Sequence, residues 1–171
     1  SLTYGLIAVE VDWNTNSEYI KSLSVKEFQE VNYAITNMLP DSDNNLWLTT
    51  GKMGIYFIRF NTIDDYEVNH YSVEAGLPNS DDFQIAKVDG NIIVLTDRGI
   101  YKPVFPTGEN KADSLITFTH DDSWGARFTK DSTRIINLLQ FNSNNFFLQT
   151  KPLTILERKE NNDIVSDTNL L

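Results

Sequence analysis

The sequence predicts an all-β fold assembled from a repeated unit of short strands. Residues 44–60 (NNLWLTTGKMGIYFIRF) contain two strands joined by a short loop, and residues 88–105 (VDGNIIVLTDRGIYKPVF) repeat this arrangement. Gly54 and Gly99, which open the second strand of each copy, are 45 residues apart, and residues 145–159 form a fainter third copy. A period of about 40–50 residues with several strands per unit is typical of a β-propeller blade.

Local signals predict the individual elements. Polar turns are expected at 40–45 and at Asp89-Gly90-Asn91, where Asp-Gly favours a tight hairpin. Residues 24–27 (SVKE) have the form of a helix capping box and predict one helical turn between two strands. The tail 159–171 is polar and is expected to be mobile or the stub of another strand. The remaining pattern predicts strands at 4–12, 19–23, 33–39, 46–50, 55–60, 66–72, 82–88, 115–120, 135–141, 146–150 and 154–158. Between 88 and 115 it predicts one strand that ends at Thr96 and one that opens at Gly99, which Pro103 and Pro106 end or confine to an edge.

These 13 strands predict a partial β-propeller of about three to four four-stranded antiparallel blades. Lettered outward from the channel, the strand order is c, d, abcd, abcd, abc, and the whole chain 1–171 is interpreted as one domain. The blade remnants are 4–23, 33–72, 82–120 and 133–158. Isolated propellers close with four to eight blades. We therefore expect a fragment of a larger propeller, or an oligomer that completes the ring.

Composition excludes several classes of function. The net charge of −10 disfavours nucleic acid and anionic lipid surfaces as partners, because phosphate binding needs a basic surface. The absence of cysteine excludes disulfides and thiolate chemistry. No apolar run approaches the length of a membrane helix, so this segment is not expected to be membrane-embedded. No phosphate loop or catalytic triad pattern is present, and no cofactor or metal is predicted.

The repeat resembles the two-component regulator propeller repeat. The residues that carry the resemblance are Asp43 to Thr50 (DNNLWLTT), Gly54-Ile55-Tyr56 and Gly76-Leu77-Pro78-Asn79. The second copy keeps Asp89-Gly90-Asn91 but has two isoleucines in place of Leu-Trp, and the third lacks the Gly-Leu pair.

The resemblance implies a sensor role. In that family the propeller is the extracytoplasmic input domain of a membrane-bound bacterial signalling protein, with a histidine kinase, hybrid kinase-regulator or diguanylate cyclase as output. No output motif is present in this chain, which is therefore interpreted as a non-catalytic, periplasmic ligand-sensing segment. Alternatives are a protein–protein interaction or dimerisation module, with a homodimer formed through open blade faces, and a propeller-fold polysaccharide lyase or hydrolase.

The strongest candidate binding site is cationic. Lys52, Arg98 and Lys151 each lie just past the threonine that ends the second strand of a blade, so they are expected on one rim. The loop before the last blade supplies Trp124 as a stacking platform and Arg127 as a further donor. Such a patch suits an anionic or hydroxyl-rich small molecule or glycan.

Other polar groups are given structural interpretations. Residues 41–45 (DSDNN) resemble the start of a calcium loop but lack the required glycine and glutamate, which favours a hairpin turn. His70 and His120 occupy equivalent outer strands without a third metal ligand. The acidic pairs 64–65, 81–82 and 121–122 could supply a glycosidase, but each lies at a turn where aspartate is common.

Overall fold

The structure is a computed structural model that describes residues 5–14, 19–107, 115–125, 134–143, 145–151, 154–160 and 163–166. Over these residues the chain is all-β, as predicted, and three single 3-10 turns are its helical elements. The strands are β1 (Leu6–Asn14), β2 (Tyr19–Phe28), β3 (Asn37–Pro40), β4 (Leu46–Thr49), β5 (Ile55–Phe60), β6 (Tyr66–Tyr71), β7 (Gln84–Val88), β8 (Asn91–Thr96), β9 (Gly99–Val104), β10 (Thr117–His120), β11 (Arg134–Asn142), β12 (Asn145–Lys151), β13 (Thr154–Glu160) and β14 (Asp163–Ser166). The 3-10 turns are Gly51–Met53, Val73–Ala75 and Asp122–Trp124.

The chain divides into two compact units, Ser1–Ile35 and Thr36–Leu171. The first unit is an antiparallel hairpin of β1 and β2, in which Val9 lies opposite Val25. The helical turn predicted from the capping box is wrong, because β2 continues through those residues. Pairing along the whole of β1 supplies more backbone hydrogen bonds than one isolated helical turn could form.

The second unit contains three four-stranded antiparallel sheets, which confirms the predicted blade plan. We call them sheet I (β3–β6), sheet II (β7–β10) and sheet III (β11–β14), and in each the strands pair in chain order. Sheet III has a fourth strand, β14, within the polar tail that was expected to be either mobile or the stub of another strand. That strand pairs with the end of β13.

Strands β3 and β10 begin later than predicted, at the positions where their partner strands end. Strand β3 begins at Asn37, which lies opposite Thr49, the last residue of β4. Strand β10 begins at Thr117, which lies opposite Val104, the last residue of β9. Before β3, Thr36 makes one further backbone bond, donating its N–H to the carbonyl oxygen of Thr49 at 2.8 Å.

Sheet II is buried on both faces, which explains its uninterrupted apolar run. Ile92 and Val94 of β8 belong to the core shared with sheet I, whereas Ile93 and Leu95 belong to the core shared with sheet III. Alternate residues of a strand point to opposite faces, so a strand covered on both sides needs an apolar residue at every position.

The repeated threonine and glycine close the turn between the second and third strands of a sheet. Thr50 Oγ1 donates to the carbonyl oxygen of Gly54 at 3.2 Å, and Thr96 Oγ1 donates to that of Gly99 at 2.9 Å. Both glycines have positive φ, +91° and +113°, which side chains other than glycine's rarely tolerate. The two turns therefore use the same threonine-to-glycine bond, although Gly54 follows Thr50 by four residues and Gly99 follows Thr96 by three.

The first strands of the three sheets run side by side in one direction. Asn37 Nδ2 donates to the carbonyl oxygen of Ile85 at 2.9 Å, and Ser42 Oγ donates to that of Gly90 at 2.9 Å. Gln140 of β11 likewise bonds the backbone N–H of the turn after β7 at 2.8 Å. The turns that follow the first strands therefore gather at one end of the unit, which we call the first-turn end. The threonine-closed turns lie at the opposite, second-turn end.

Candidate functional site

A pocket of about 390 Å³ lies along the first-turn end of sheet II. Its volume falls within the range of about 300–1,000 Å³ usual for small-molecule sites. The walls combine the first turns of sheets I and II with the end of β9 and the 3-10 turn after β10. Its lining residues are Asp41, Ser42, Asp43, Trp47, Val88, Asp89, Gly90, Asn91, Ile92, Ile93, Lys102, Pro103, Phe105, Asp121, Ser123 and Trp124.

One wall is fixed by the carboxylate of Asp41. It accepts the backbone N–H groups of Asp43 and Asn45, each at 2.9 Å, and the indole N–H of Trp47 at 3.2 Å. Asn44 adopts φ +63°, a conformation that asparagine tolerates in turns. The DSDNN segment is thus a hairpin turn whose aspartate holds its own backbone and orients the buried tryptophan.

A second part of the lining repeats the pairing of an aspartate with a tryptophan. Asp121 accepts the indole N–H of Trp124 at 3.1 Å, the hydroxyl of Ser123 at 2.9 Å and the ammonium of Lys102 at 3.1 Å. Burial raises the pKa of Asp121, but the hydrogen bonds from Ser123 and Lys102 outweigh it and leave that pKa below its usual value. The carboxylate is therefore a fixed negative charge at neutral pH.

The pocket is acidic and partly aromatic. Asp43 and Asp89 are exposed at its rim, Lys102 is its one basic lining residue, and Phe105 is 48% exposed. Carboxylates accept hydrogen bonds, and an exposed ring offers an apolar surface beside them. This combination suits a ligand with several hydrogen-bond donors and little negative charge.

The sequence-predicted cations belong to the opposite end of the unit. Lys52 and Arg98 lie in the turns after β4 and β8, and Lys151 is the last residue of β12, so all three positions belong to the second-turn end. Lys52 Nζ lies 3.9 Å from a carboxylate oxygen of Asp81, and its side chain is 77% exposed. The side chain of Lys151 and the whole of Arg127 lie outside the described residues.

Trp124 has a different place from the one predicted. Its ring is 2% exposed and packs edge-on against Phe146 at a centroid distance of 5.3 Å. It lines the acidic pocket together with residues of the first turns. The bond to Asp121 holds the indole inward, so its faces are not open for stacking a ligand.

Each of the two histidines contacts the tyrosine at the same repeat position of its sheet, with different ring geometry. His70 stacks on Tyr56 with ring centroids 4.6 Å apart, and His120 meets Tyr101 edge-on at 5.2 Å. His120 Nδ1 also lies 2.9 Å from Asp122 Oδ1. Within the described part of the chain, no three histidine or acidic side chains form a group that could hold a metal ion.

Several aspartates of the acidic pairs considered for a glycosidase contact other side chains in the structure. Asp82 at the start of β7 is ion-paired with Arg134, while Asp81 faces Lys52. Asp121 is enclosed with Trp124 at the pocket wall. The structure therefore uses these carboxylates in local contacts.

Sequence reasoning missed the pocket because its two acidic turns come from different sheets. Asp43 and Asp89 are 46 residues apart, and each was interpreted only as part of a hairpin. A usable signal was present, since both turns occupy the same place in successive repeats. Phe105 likewise occupies the repeat position of Phe60, 45 residues earlier.

Comparisons of the chain with protein-family models, with curated proteins and with solved structures found no match. The resemblance to the two-component regulator propeller repeat therefore stays a prediction. Over the residues that the structure describes, no helix has the length and apolar character needed to cross a membrane.

Proposed function

We propose that this chain is a non-catalytic ligand-binding module, the sensing segment of a propeller in a bacterial membrane-bound signalling receptor. The observation that carries the binding role is the pocket at the first-turn end, with its acidic rim and the exposed ring of Phe105. The extracytoplasmic and signalling part of the proposal is supported by the repeat resemblance alone.

The pocket favours a small hydroxyl-rich ligand, such as a mono- or disaccharide. Sugar hydroxyls would donate to Asp43 and Asp89, and a sugar's C–H face would pack on Phe105. An anionic ligand is disfavoured because four aspartates face a single Lys102 there. The proposal therefore replaces the anion site expected at the second turns with a polyol site at the first turns.

Binding is tested by thermal shift with a panel of neutral and acidic mono- and disaccharides, followed by calorimetric titration of each hit. A ligand present at 100 times its Kd adds about 2.7 kcal/mol to stability, which is readily visible as a rise in Tm. We expect neutral sugars to give hits and acidic sugars to give none.

Two sets of variants locate the site. Phe105→Ala and Asp43→Ala should weaken a hit by roughly tenfold or more, because each removes a direct contact. The double variant Lys52→Ala, Arg98→Ala should leave it unchanged, since both residues belong to the other end. Loss of binding only in the cationic double variant would place the site at the second turns and refute this assignment.

The alternative, an interaction or dimerisation module, is favoured by a separate observation. Large apolar side chains are exposed on the hairpin and on sheet III, among them Val25 and Phe141 at 62% and 71%. Contiguous exposed apolar patches commonly mark interaction surfaces.

A further inference from the structure

Each sheet of the second unit has two kinds of face. We call the face that packs on the following sheet the forward face and the face that packs on the preceding sheet the backward face. The forward face of sheet I meets the backward face of sheet II in one core, and sheets II and III meet likewise in the other. The forward residues include Trp47, Ile55 and Phe57 of sheet I and Ile93, Leu95 and Ile100 of sheet II, and the backward residues include Ile85, Ile92 and Val94 of sheet II and Ile135, Phe146 and Leu148 of sheet III.

The repeat assigns a face to every equivalent position. Trp47 and Ile93 each lie three residues before the threonine that closes the second turn, and both pack on the following sheet. Phe147 is the same position in sheet III, three residues before Thr150. It is 45% exposed, so the described residues leave this forward position uncovered.

The forward face of sheet III is an exposed apolar surface. Leu139 pairs directly with Phe147 across β11 and β12, and directly opposed residues share a face. Phe141 lies two residues further along β11, and its ring contacts Phe147 edge-on at a centroid distance of 5.9 Å. We call these three residues the forward patch.

The hairpin of the first unit exposes the opposite kind of face. Gly5-Leu6-Ile7 matches Gly54-Ile55-Tyr56, which makes Ile7 and Val9 the equivalents of Tyr56 and Ile58. The corresponding tyrosine of sheet II, Tyr101, packs on the core shared with sheet I and is therefore a backward residue.

The backward positions of the hairpin are exposed together. Ile7 and Val9 alternate along β1, while Val25 lies opposite Val9 and Leu23 lies two residues away on the same face of β2. All four are exposed by about half or more. We call them the backward patch.

We propose that the forward patch of one copy of this chain packs on the backward patch of a second copy, so that copies associate head to tail. Both sheet-on-sheet interfaces within the second unit pair a forward face with a backward face, and the residues of the forward patch and of the backward patch are exposed. A second copy brings the complementary patch. Because the two patches differ, each contact leaves one of each free, and association continues until a ring closes or a filament forms.

The proposal is tested by light scattering on a sizing column across a dilution series. The chain has a mass of 19.5 kDa, and we expect the apparent mass to rise above it with concentration. Phe147→Asp in the forward patch and Val25→Asp in the backward patch should each raise the dissociation constant by roughly tenfold or more. Val73→Asp, at a 56% exposed position outside both patches, is the matched control and should behave as the unmodified chain.

Mixing the two patch variants separates head-to-tail contact from other geometries. The Phe147→Asp variant keeps an intact backward patch, and the Val25→Asp variant keeps an intact forward patch. An equimolar mixture should therefore form a 1:1 complex of twice the monomer mass and nothing larger. A symmetric contact between two copies of sheet III would instead leave Val25→Asp dimeric, and that result would overturn the proposal, as would an unmodified chain that stays monomeric at every concentration.

A second measurement does not depend on the aspartate variants folding. The sequence has no cysteine, so single thiols can be introduced at will. A Leu139→Cys chain mixed with a Leu23→Cys chain should give an intermolecular disulfide faster than either variant alone. Equal rates in the mixture and in the separate variants would contradict contact between the two patches.

Discussion

Replacing Gly54 with alanine tests whether the repeated glycine is required by its surroundings. Gly54 has φ +91° and ψ −141°, a region that side-chain-bearing residues rarely adopt. A Cβ atom there would lie 2.3 Å from the carbonyl oxygen of Tyr71 on the neighbouring strand β6. That oxygen belongs to the backbone of a paired strand and cannot rotate away.

The expected cost has two parts. The backbone conformation costs about 1–3 kcal/mol for a non-glycine residue. Displacing β6 to relieve the overlap adds a cost typical of overpacking, about 1–3 kcal/mol. We expect Gly54→Ala to lose about 4 kcal/mol, a large fraction of the 5–15 kcal/mol that stabilises a typical domain.

Gly51→Ala provides the matched control. Gly51 also has positive φ, +62°, but a Cβ there would meet only the methyl group of Thr36, at 3.9 Å. We expect it to cost about 1 kcal/mol. In urea unfolding followed by tryptophan fluorescence, a difference of about 3 kcal/mol separates the two midpoints by at least about 1 M. Equal midpoints for the two variants would refute the argument from the Tyr71 contact.

Two further predictions concern buried polar groups. Thr96→Val removes the hydroxyl that donates to Gly99 and should cost about 1–3 kcal/mol in urea unfolding, because a buried carbonyl loses its side-chain partner; a cost near zero would show that the turn does not need the bond. The pKa of Asp121 is lowered in the folded chain, so its ionised form stabilises the fold above the unfolded pKa, about 4, and that contribution is lost as the pH falls through the lower folded value. Asp121→Asn should therefore be less stable at pH 7 but lose less additional stability between pH 4 and pH 2 than the unmodified chain, and parallel pH profiles would contradict the role of its bonds from Ser123 and Lys102.

The sequence predicted the fold well where one signal repeats. Gly54 and Gly99 marked equivalent turns, and the spacing between them located strands on either side. The prediction failed at residues 24–27, where a local capping pattern competed with strand pairing. Val25 lies opposite Val9 in the hairpin. Pairing between residues so far apart in the sequence cannot be recognised from four consecutive residues.

The candidate site was harder to predict because it depends on which side of a loop faces inward. Trp124 follows Asp121 by three residues, and the structure uses that spacing to tie the indole to the carboxylate inside the protein. The same four residues would serve equally well in an exposed loop. The pocket itself lies where turns of sheets I and II come together. One sequence alone does not show which turns are in contact.

The burial of β8 on both of its faces determines how the number of sheets in such a chain could change. Because Ile92 and Ile93 serve different neighbours, the two boundaries of sheet II are independent of each other and are made from the same set of repeat positions. After duplication or deletion of one unit of about 45 residues, the newly adjacent sheets would again pack a forward face on a backward face. No new kind of contact would be needed. The number of blades is thus free to vary by whole units while the rules of assembly stay fixed.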